Sequence, residues 1–322
     1  MANPRRWAFD SDDWVFLGVE GPLQPHNGKH EVCMMRLDGA SHNAVRSQLD
    51  PSLRDADAAA RLVADGYVTR AVVTQATPGV YHPRMSRPWF SPDPYSTPNE
   101  RVMIQSVHAA RNIFRRLRDI LRTVEPDCAT AYGHNIRDLL ILACTEVESS
   151  MRAVLVANDY LTVKKLRERD LKMDHYRDLA APMRLADWSV KLAFHPDYPP
   201  VVPFKGWLGA PDESIEWYSK HHLVKHGREA NFAEATLQRA IAACAGVYVM
   251  LCAQFGQYRK RHNYDHEFPV QDVTGWADDD FLVEDRPKFA DLHYWPPHIP
   301  FDPYNPAPSR VNWHPVPFWP RP

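Results

Sequence analysis

The chain has 322 residues, of which 44% are hydrophobic and 24% are charged, with a formal net charge of −2 and a sequence pI near 6.8. These values are typical of a soluble globular protein that is long enough for one large hydrophobic core or two modest ones. The nearly balanced charge excludes a protein that is drawn to nucleic acid or membranes by a global electrostatic field, so any such contact must be made locally.

Cysteine usage and the N-terminus bear on the cellular compartment. The five cysteines are scattered and include no C-x-x-C pair, which favours a reducing environment. The first residues, MANPRRWAFDSDDW, lack the apolar core of a signal peptide. The longest apolar run, residues 240–253, is shorter than a bilayer-spanning helix. We therefore expect a cytoplasmic protein without membrane contact.

Residues 1–98 predict a β-containing N-terminal region. Short runs rich in β-branched and aromatic residues are separated by Pro, Gly, Asn and Asp, which is typical of strands joined by turns. The predicted strands are residues 14–19, 31–37 and 67–74. Within the same region, the alanine-rich residues 50–65 predict a helix.

Residues 99–262 predict a helical bundle, because apolar residues there recur at helical spacing. The first three predicted helices are residues 99–124, 134–158 and 162–179. Residues 187–194 predict an extended segment. A fourth helix carries the histidine-rich cluster described below, and a fifth is predicted over residues 233–256.

Four arginines follow one face of the first predicted helix: Arg111, Arg115, Arg118 and Arg122. One interpretation is a solvated flank whose charges pair with acidic neighbours. The other is a phosphate-binding stripe, which would supply the local positive charge that the whole chain lacks.

The most distinctive stretch, residues 217–232, reads WYSKHHLVKHGREANF and ends a predicted helix. Its cationic and imidazole side chains are rarely fully buried unless they are paired, so packing does not require them. Imidazole beside guanidinium can move protons and hold anions near neutral pH. The cluster comprises Lys220, His221, His222, Lys225, His226 and Arg228.

Residues 263–322 begin acidic and become rich in proline and aromatic residues. Eleven of the 29 prolines lie between Pro287 and Pro322. Such a tail has too little aliphatic content for a core of its own. Its aromatic residues favour wrapping over the domain in a polyproline-like conformation, and a disordered arm is the alternative.

The middle of the chain resembles a group of bacterial HEPN-like proteins (the higher eukaryote and prokaryote nucleotide-binding superfamily). Three segments in the same order carry the resemblance. They are YGHNIRDLLILACTEVE at 132–148, PFKGW at 203–207, and the KHxR segment at 225–228 with NFxxATL at 231–237. The resemblance implies an α+β, mainly α fold: a HEPN-like helical bundle, with the smaller N-terminal β-containing region and the Pro/aromatic C-terminal tail beside it.

The resemblance also implies a function, that of a metal-independent ribonuclease acting as a homodimer, as in toxins and phage-defence effectors. In active members the pattern R-polar-x-x-x-H lines the shared face without metal or cofactor. Here the matching positions read HHLVKH at 221–226, so a histidine stands where the leading arginine is usual. The resemblance then assigns proton transfer to His226, orientation to His222, and charge stabilisation to Arg228 helped by Lys225.

Further residues are expected around this site. His221, Lys220, Arg111 and Arg115 are candidates for contacts with RNA or a nucleotide, and Glu146 and Glu148 are candidates for orienting the cluster. If cleavage is lost with the missing arginine, the alternative is a non-catalytic module that binds RNA or a nucleotide, or a scaffold.

Two other interpretations of the histidines remain. Cationic groups in a last helical turn stabilise the helix end through its free carbonyls and dipole. His222 and His226 at i, i+4 can also share a zinc ion, but a third ligand is not evident from the sequence, and Lys225 and Arg228 would repel a cation. We therefore expect no metal.

Overall fold

The computed structural model describes residues 6–10, 14–19, 30–36, 45–49, 70–73, 80–85, 98–208, 215–255, 280–285, 287 and 314–319. Side chains are described for residues 82–85, 101–207, 215–227, 229–255, 280–285, 287 and 315–319. The helix predicted at residues 50–65 lies outside the described residues.

The N-terminal region contains a five-stranded sheet, which confirms its predicted β character. Its strands are β1 (Arg6–Asp10), β2 (Trp14–Val19), β3 (His30–Arg36), β4 (Val45–Leu49) and β5 (Arg70–Val73). All neighbours pair antiparallel in the order β4-β3-β2-β1-β5, with Trp7 opposite both Gly18 and Val73. Consecutive strands β1 to β4 thus form a meander, and β5 adds to the free edge of β1.

Helices dominate the middle of the chain, so the fold is α+β and mainly α, as predicted. The helices are α1 (Pro98–Leu121), α2 (His134–Ala157), α3 (Tyr160–Lys164), α4 (Met173–Arg177), α5 (Glu216–His226), α6 (Arg228–Asn231) and α7 (Leu237–Phe255). The predicted helices at 99–124, 134–158 and 233–256 correspond to α1, α2 and α7 within a few residues at each end.

The single helix predicted over residues 162–179 is wrong. The structure has α3, then a 3₁₀ turn at Glu168–Asp170, then α4. Lys165 ends α3 with φ at 54°, a left-handed conformation that cannot continue a helix. The segment is charged and buries few side chains, and helices in proteins are stabilised mainly by packing an apolar face. Charge-rich sequence alone was not enough to hold one continuous helix.

The core lies where α2 and α7 pack together, with α1 and α5 against them. Within the described part of the chain, α7 is the one helix long and apolar enough to cross a membrane by composition. However, 83% of its apolar window is buried inside the protein, as in the central helix of a folded domain.

Two strands cover one side of the core. Strand β7 (Ser189–Leu192) pairs antiparallel with β8 (Phe281–Asp285), so the extended segment predicted at 187–194 is confirmed. Phe281 at the start of β8 packs against Phe114 of α1 and Tyr248 of α7, with ring centroids 5.3 and 5.6 Å away.

The described part of the C-terminal tail lies against the bundle, in agreement with the prediction that the tail wraps over the domain. Strand β6 (Val80–Tyr81) pairs parallel with β9 (His314–Pro315). The Phe318 amide donates a hydrogen bond to Oδ1 of buried Asn158 at 3.0 Å. The Trp319 ring packs on Tyr160, with centroids 4.9 Å apart.

Candidate functional site

Helix α5 carries the histidine cluster, and its buried face fixes how the cluster is presented. The buried residues are Trp217, Tyr218, His221 and Val224, at helical spacing. Trp217 anchors the helix: its Nε1 donates to the carbonyl of Pro203 at 2.8 Å, and a Cβ at Gly246 of α7 would come within 3.2 Å of its ring. The opposite face of α5 leaves His222, Lys225 and His226 exposed.

Tyr218 connects α2 to α5 through a hydrogen-bonded chain. Its hydroxyl donates to Oε1 of Glu148, and Nε2 of His222 lies 3.3 Å from the same hydroxyl. Because the phenol proton points to the carboxylate, Nε2–H of His222 must donate to the phenol oxygen, which leaves Nδ1 as the free nitrogen of the neutral ring. Burial, together with the bond to Glu148, raises the pKa of Tyr218, so the phenol keeps its proton. The chain Glu148–Tyr218–His222 therefore orients one exposed imidazole.

His226 stacks on His222 one turn further along α5. The two ring centroids are 5.8 Å apart and the planes differ by 19°. Stacking limits the rotation of His226 without occupying either of its ring nitrogens in that contact. Exposed Lys225 precedes His226 and adds positive charge near the rings. This arrangement holds two imidazoles and a cation on one solvent-facing surface.

His221 is the unusual member of the cluster. Its side chain is 0% exposed, and within the described residues neither ring nitrogen has a hydrogen-bond partner. Burial lowers the pKa of His221 to about 4, although the nearby Glu148 acts in the opposite direction. The imidazole is therefore neutral at neutral pH. It lies between Tyr218 and His222, with ring centroids 5.7 and 5.5 Å away.

Arg152 lies one turn from Glu148 on α2 and brings a guanidinium to the same neighbourhood. It is exposed, and the neighbouring Tyr176 and Glu148 raise the pKa of its guanidinium. Arg152 and Glu148 are at i, i+4 on the helix, a spacing at which opposite charges are neighbours.

Lys220 is tied into an ion-pair network on the side of the cluster. Its Nζ lies 3.1 Å from Oε2 of Glu234, and Arg239 binds both Glu234 and Glu216 at 2.7 Å. Since Glu234 balances its charge, Lys220 is less suited to hold RNA or a nucleotide than the sequence suggested.

Glu146 does not join the cluster. Two residues along an α-helix turn the side-chain direction by about 200°, so Glu146 and Glu148 point to opposite faces of α2. Glu146 instead borders a groove of ≈ 570 Å³ between α1 and α2, together with Arg115 and Arg116. Burial raises the pKa of Glu146, and Arg84 partly opposes this shift. Only Glu148 occupies the orienting position expected of the pair.

Three of the α1 arginines contact residues outside α5. Two of them form ion pairs, Arg118 with Asp280 at 2.9 Å and Arg122 with Asp119 at 3.3 Å. Arg115 donates to Asn112 and lines the groove of Glu146. These contacts favour the interpretation of a solvated flank with acidic partners. Arg115 lies at the Glu146 groove and not at the histidine cluster.

Arg228, the last residue of the cluster, begins α6 two residues after His226. Its side chain lies outside the described residues, so its assigned role stays a prediction.

The segments that carried the family resemblance are brought together by the fold. Tyr132 forms an antiparallel bridge with Thr236, and the Leu237 amide donates to the carbonyl of Ala131 at 2.8 Å. The Phe232 ring packs against Tyr132 and His134, with centroids 5.8 and 4.8 Å apart. The second segment, at 203–207, is joined to α5 by the bond from Trp217 to Pro203.

Sequence analysis missed Tyr218, which is central to the site. A signal for it existed, because Tyr218 and His222 are at i, i+4 and such side chains are neighbours on a helix surface. The sequence did not show that Glu148, on α2, would accept a hydrogen bond from the Tyr218 hydroxyl.

Three donor groups converge in a way that suits a metal ion. One oxygen of Glu148 and one nitrogen each of His221 and His222 lie within 4.8 Å of one another. The sequence had instead paired His222 with His226, and had identified no third ligand. In the structure the partners of His222 are His221, on the same helix, and Glu148, which comes from α2.

Comparisons with protein-family models, curated proteins and solved structures found no match to this chain.

Proposed function

We propose that the protein is a HEPN-like ribonuclease that cuts RNA without metal, acting as a homodimer in a toxin or phage-defence role. The observation that carries the proposal is the exposed stack of His222 and His226, with His222 held through Tyr218 by Glu148. A helix end stabilised only by its cations does not need a carboxylate and a buried phenol behind one imidazole. The packing of the three resemblance segments into one unit supports the same assignment.

The proposed chemistry is general acid–base catalysis on a ribose 2′-hydroxyl. His226 accepts the hydroxyl proton as the 2′-oxygen attacks the adjacent phosphorus. The 5′-oxygen of the next nucleotide then leaves with a proton returned by the protonated His226, which gives a 2′,3′-cyclic phosphate and a 5′-hydroxyl. His222, fixed by the hydrogen-bonded chain, holds the His226 ring in place by stacking. Lys225 and Arg228 stabilise the negative charge on the phosphorane, as preorganised cations do in other phosphoryl-transfer sites.

The first prediction concerns His226. His226→Ala should lower RNA cleavage by about 10²–10⁴-fold, the usual contribution of a general acid–base group. Because the side chain is exposed, the melting temperature should change little. The measurement is cleavage of a labelled single-stranded RNA in the presence of EDTA. His108→Ala is the matched control, because His108 is an exposed histidine on α1, away from α5.

Three results would contradict the catalytic assignment. They are cleavage that survives His226→Ala, cleavage that EDTA abolishes, and loss of the fold in the variant. The last result would instead assign the cluster a structural role.

The second candidate is a module that binds RNA or a nucleotide without cutting it. It is favoured by one observation: the leading arginine of the usual pattern is replaced by His221, which is buried. In that case wild-type protein binds RNA without cleavage, and Lys225→Ala and Arg228→Ala weaken binding. The slope of log K against log salt should also become shallower in these variants. Binding with fewer phosphate contacts releases fewer counterions from the RNA.

A further inference from the structure

His221 is a buried imidazole that has no hydrogen-bond partner among the described residues. A neutral imidazole has one donor nitrogen and one acceptor nitrogen, and burying both without partners is unfavourable. His221 is in this situation, although it lies close to a carboxylate and a second imidazole. A ligand bound between His221 and these two neighbours would satisfy the buried imidazole.

The neighbours of His221 supply the rest of a coordination set. Glu148 projects from α2, and His221 and His222 are adjacent on α5, so two rigid helices define the position of the donors. We propose that Glu148, His221 and His222 bind a divalent transition metal, with zinc as the preferred ion. Two nitrogens and one carboxylate oxygen make the ligand set of open zinc sites, in which a water or substrate takes the fourth position.

The geometry requires a modest adjustment. The donors lie within 4.8 Å of one another, whereas donors around a tetrahedral zinc at about 2.1 Å are about 3.4 Å apart. A contraction of up to about 1.4 Å is within the reach of side-chain rotation, because His222 is exposed and Glu148 is half-buried. Tyr218, which donates to Glu148, already provides the outer hydrogen bond that commonly orients a ligating carboxylate.

Some features of this site favour the binding of a metal ion and others oppose it. Burial keeps His221 neutral, as a metal ligand must be, and Glu148 offers a negative charge. Lys225 and His226 lie near enough to His221 to affect it electrostatically, and the positive charge of Lys225 opposes a cation. We therefore expect zinc affinity below that of closed structural sites with four protein ligands.

Zinc binding and the proposed RNA cleavage are separable. The metal site is tested by measuring metal binding to the protein alone, and the result does not depend on any RNA cleavage.

The experiment is calorimetric titration of zinc into tag-free, EDTA-treated protein, with cobalt(II) absorption as a second readout. Wild type should bind one equivalent and give the intense visible bands of a four-coordinate cobalt site. His221→Leu, His222→Gln and Glu148→Gln should each weaken binding at least tenfold. The substitution at Glu148 keeps an acceptor for Tyr218, and His222 is exposed, so both variants should retain the fold as judged by circular dichroism.

His226→Gln is the matched control, because His226 lies on the same helix outside the proposed ligand set. It should bind zinc as wild type does. If His226→Gln abolishes binding while His221→Leu retains it, the ion belongs to the exposed His222–His226 pair and the proposal is overturned. Absence of a one-equivalent site in wild-type protein overturns it as well.

Discussion

At the scale of single residues, His221 shows that part of this molecule is not optimised for stability. A buried polar group without partners loses its water hydrogen bonds and regains nothing in the folded protein. Replacing it with an apolar side chain of similar size removes that loss. The same substitution removes one proposed metal ligand, so stability and binding should move in opposite directions.

We therefore expect His221→Leu to raise the free energy of unfolding of the metal-free protein by about 1–3 kcal/mol. The measurement is urea denaturation in the presence of EDTA. His222→Gln, at an exposed position, is the control and should stay within about 0.5 kcal/mol of wild type. A clear destabilisation by His221→Leu would mean that the imidazole contributes packing or a hydrogen bond that outweighs its burial.

Glu146 predicts a dependence of stability on pH. Its pKa is raised in the folded protein, chiefly by burial, so the folded state holds the proton to higher pH than the unfolded chain does. Stability must then fall as pH rises upward from the ordinary value of 4.5, and the loss persists at neutral pH. Glu146→Gln removes this titration.

The expected result is that Glu146→Gln is more stable than wild type at pH 7 and similar to it near pH 4, where wild type is largely protonated. Urea denaturation at both pH values measures the difference. Asp138→Asn, at an exposed position on the same helix, is the control and should change stability by less than about 0.5 kcal/mol at either pH. A Glu146→Gln variant that is less stable at pH 7 would show that the Arg84 charge matters more than burial.

At the scale of elements, the C-terminal end of α2 is where the tail is fastened. Nδ2 of Asn158 donates to the carbonyls of Pro83 and Val154 at 2.7 and 2.9 Å, and Oδ1 accepts from the Phe318 amide at 3.0 Å. One buried side chain thus joins three stretches that are far apart in sequence.

Asn158→Ala should lower the free energy of unfolding by about 3 kcal/mol, because it removes one buried and two partly buried hydrogen bonds to backbone groups, and an unpaired buried group costs about 1–3 kcal/mol. Hydrogen exchange of the Phe318 amide should also become faster, since that amide loses its acceptor. Thr145→Ala, also on α2, is the control, because its hydroxyl is exposed and donates to the Ile141 carbonyl of its own helix. Unchanged exchange at Phe318 would show that packing of Trp319 on Tyr160 holds the tail without Asn158.

At the scale of the whole molecule, the proposed ribonuclease requires two copies. The proposed HEPN-like assignment implies that the active segments of two subunits face each other, and the exposed face of α5 carries Lys225 and His226. We expect sedimentation velocity to show a homodimer, and Leu223→Glu to shift it towards monomer, because Leu223 is an apolar side chain that is 45% exposed on that face. A monomer at high concentration would count against a composite site.

Periodicity was sufficient to predict α1, α2 and α7, because each of these helices buries a continuous apolar face and local pattern agrees with tertiary packing. The helix predicted over 162–179 was wrong because that charged segment buries few side chains and has no continuous apolar face. The position of Glu146 could have been corrected from the sequence, since the helical period alone places it opposite Glu148.

The amino-acid sequence by itself determined that residues 220–228 are chemically unusual and that they end a helix, because residue type and helical period are local properties. Only the tertiary structure decided what those side chains meet. The packing of α5 on α2 placed Glu148 behind Tyr218 and His222 and buried His221 without a partner among the described residues. Glu148 and His222 are distant in the chain, and contacts across such a separation depend on how whole helices pack, which no local pattern specifies.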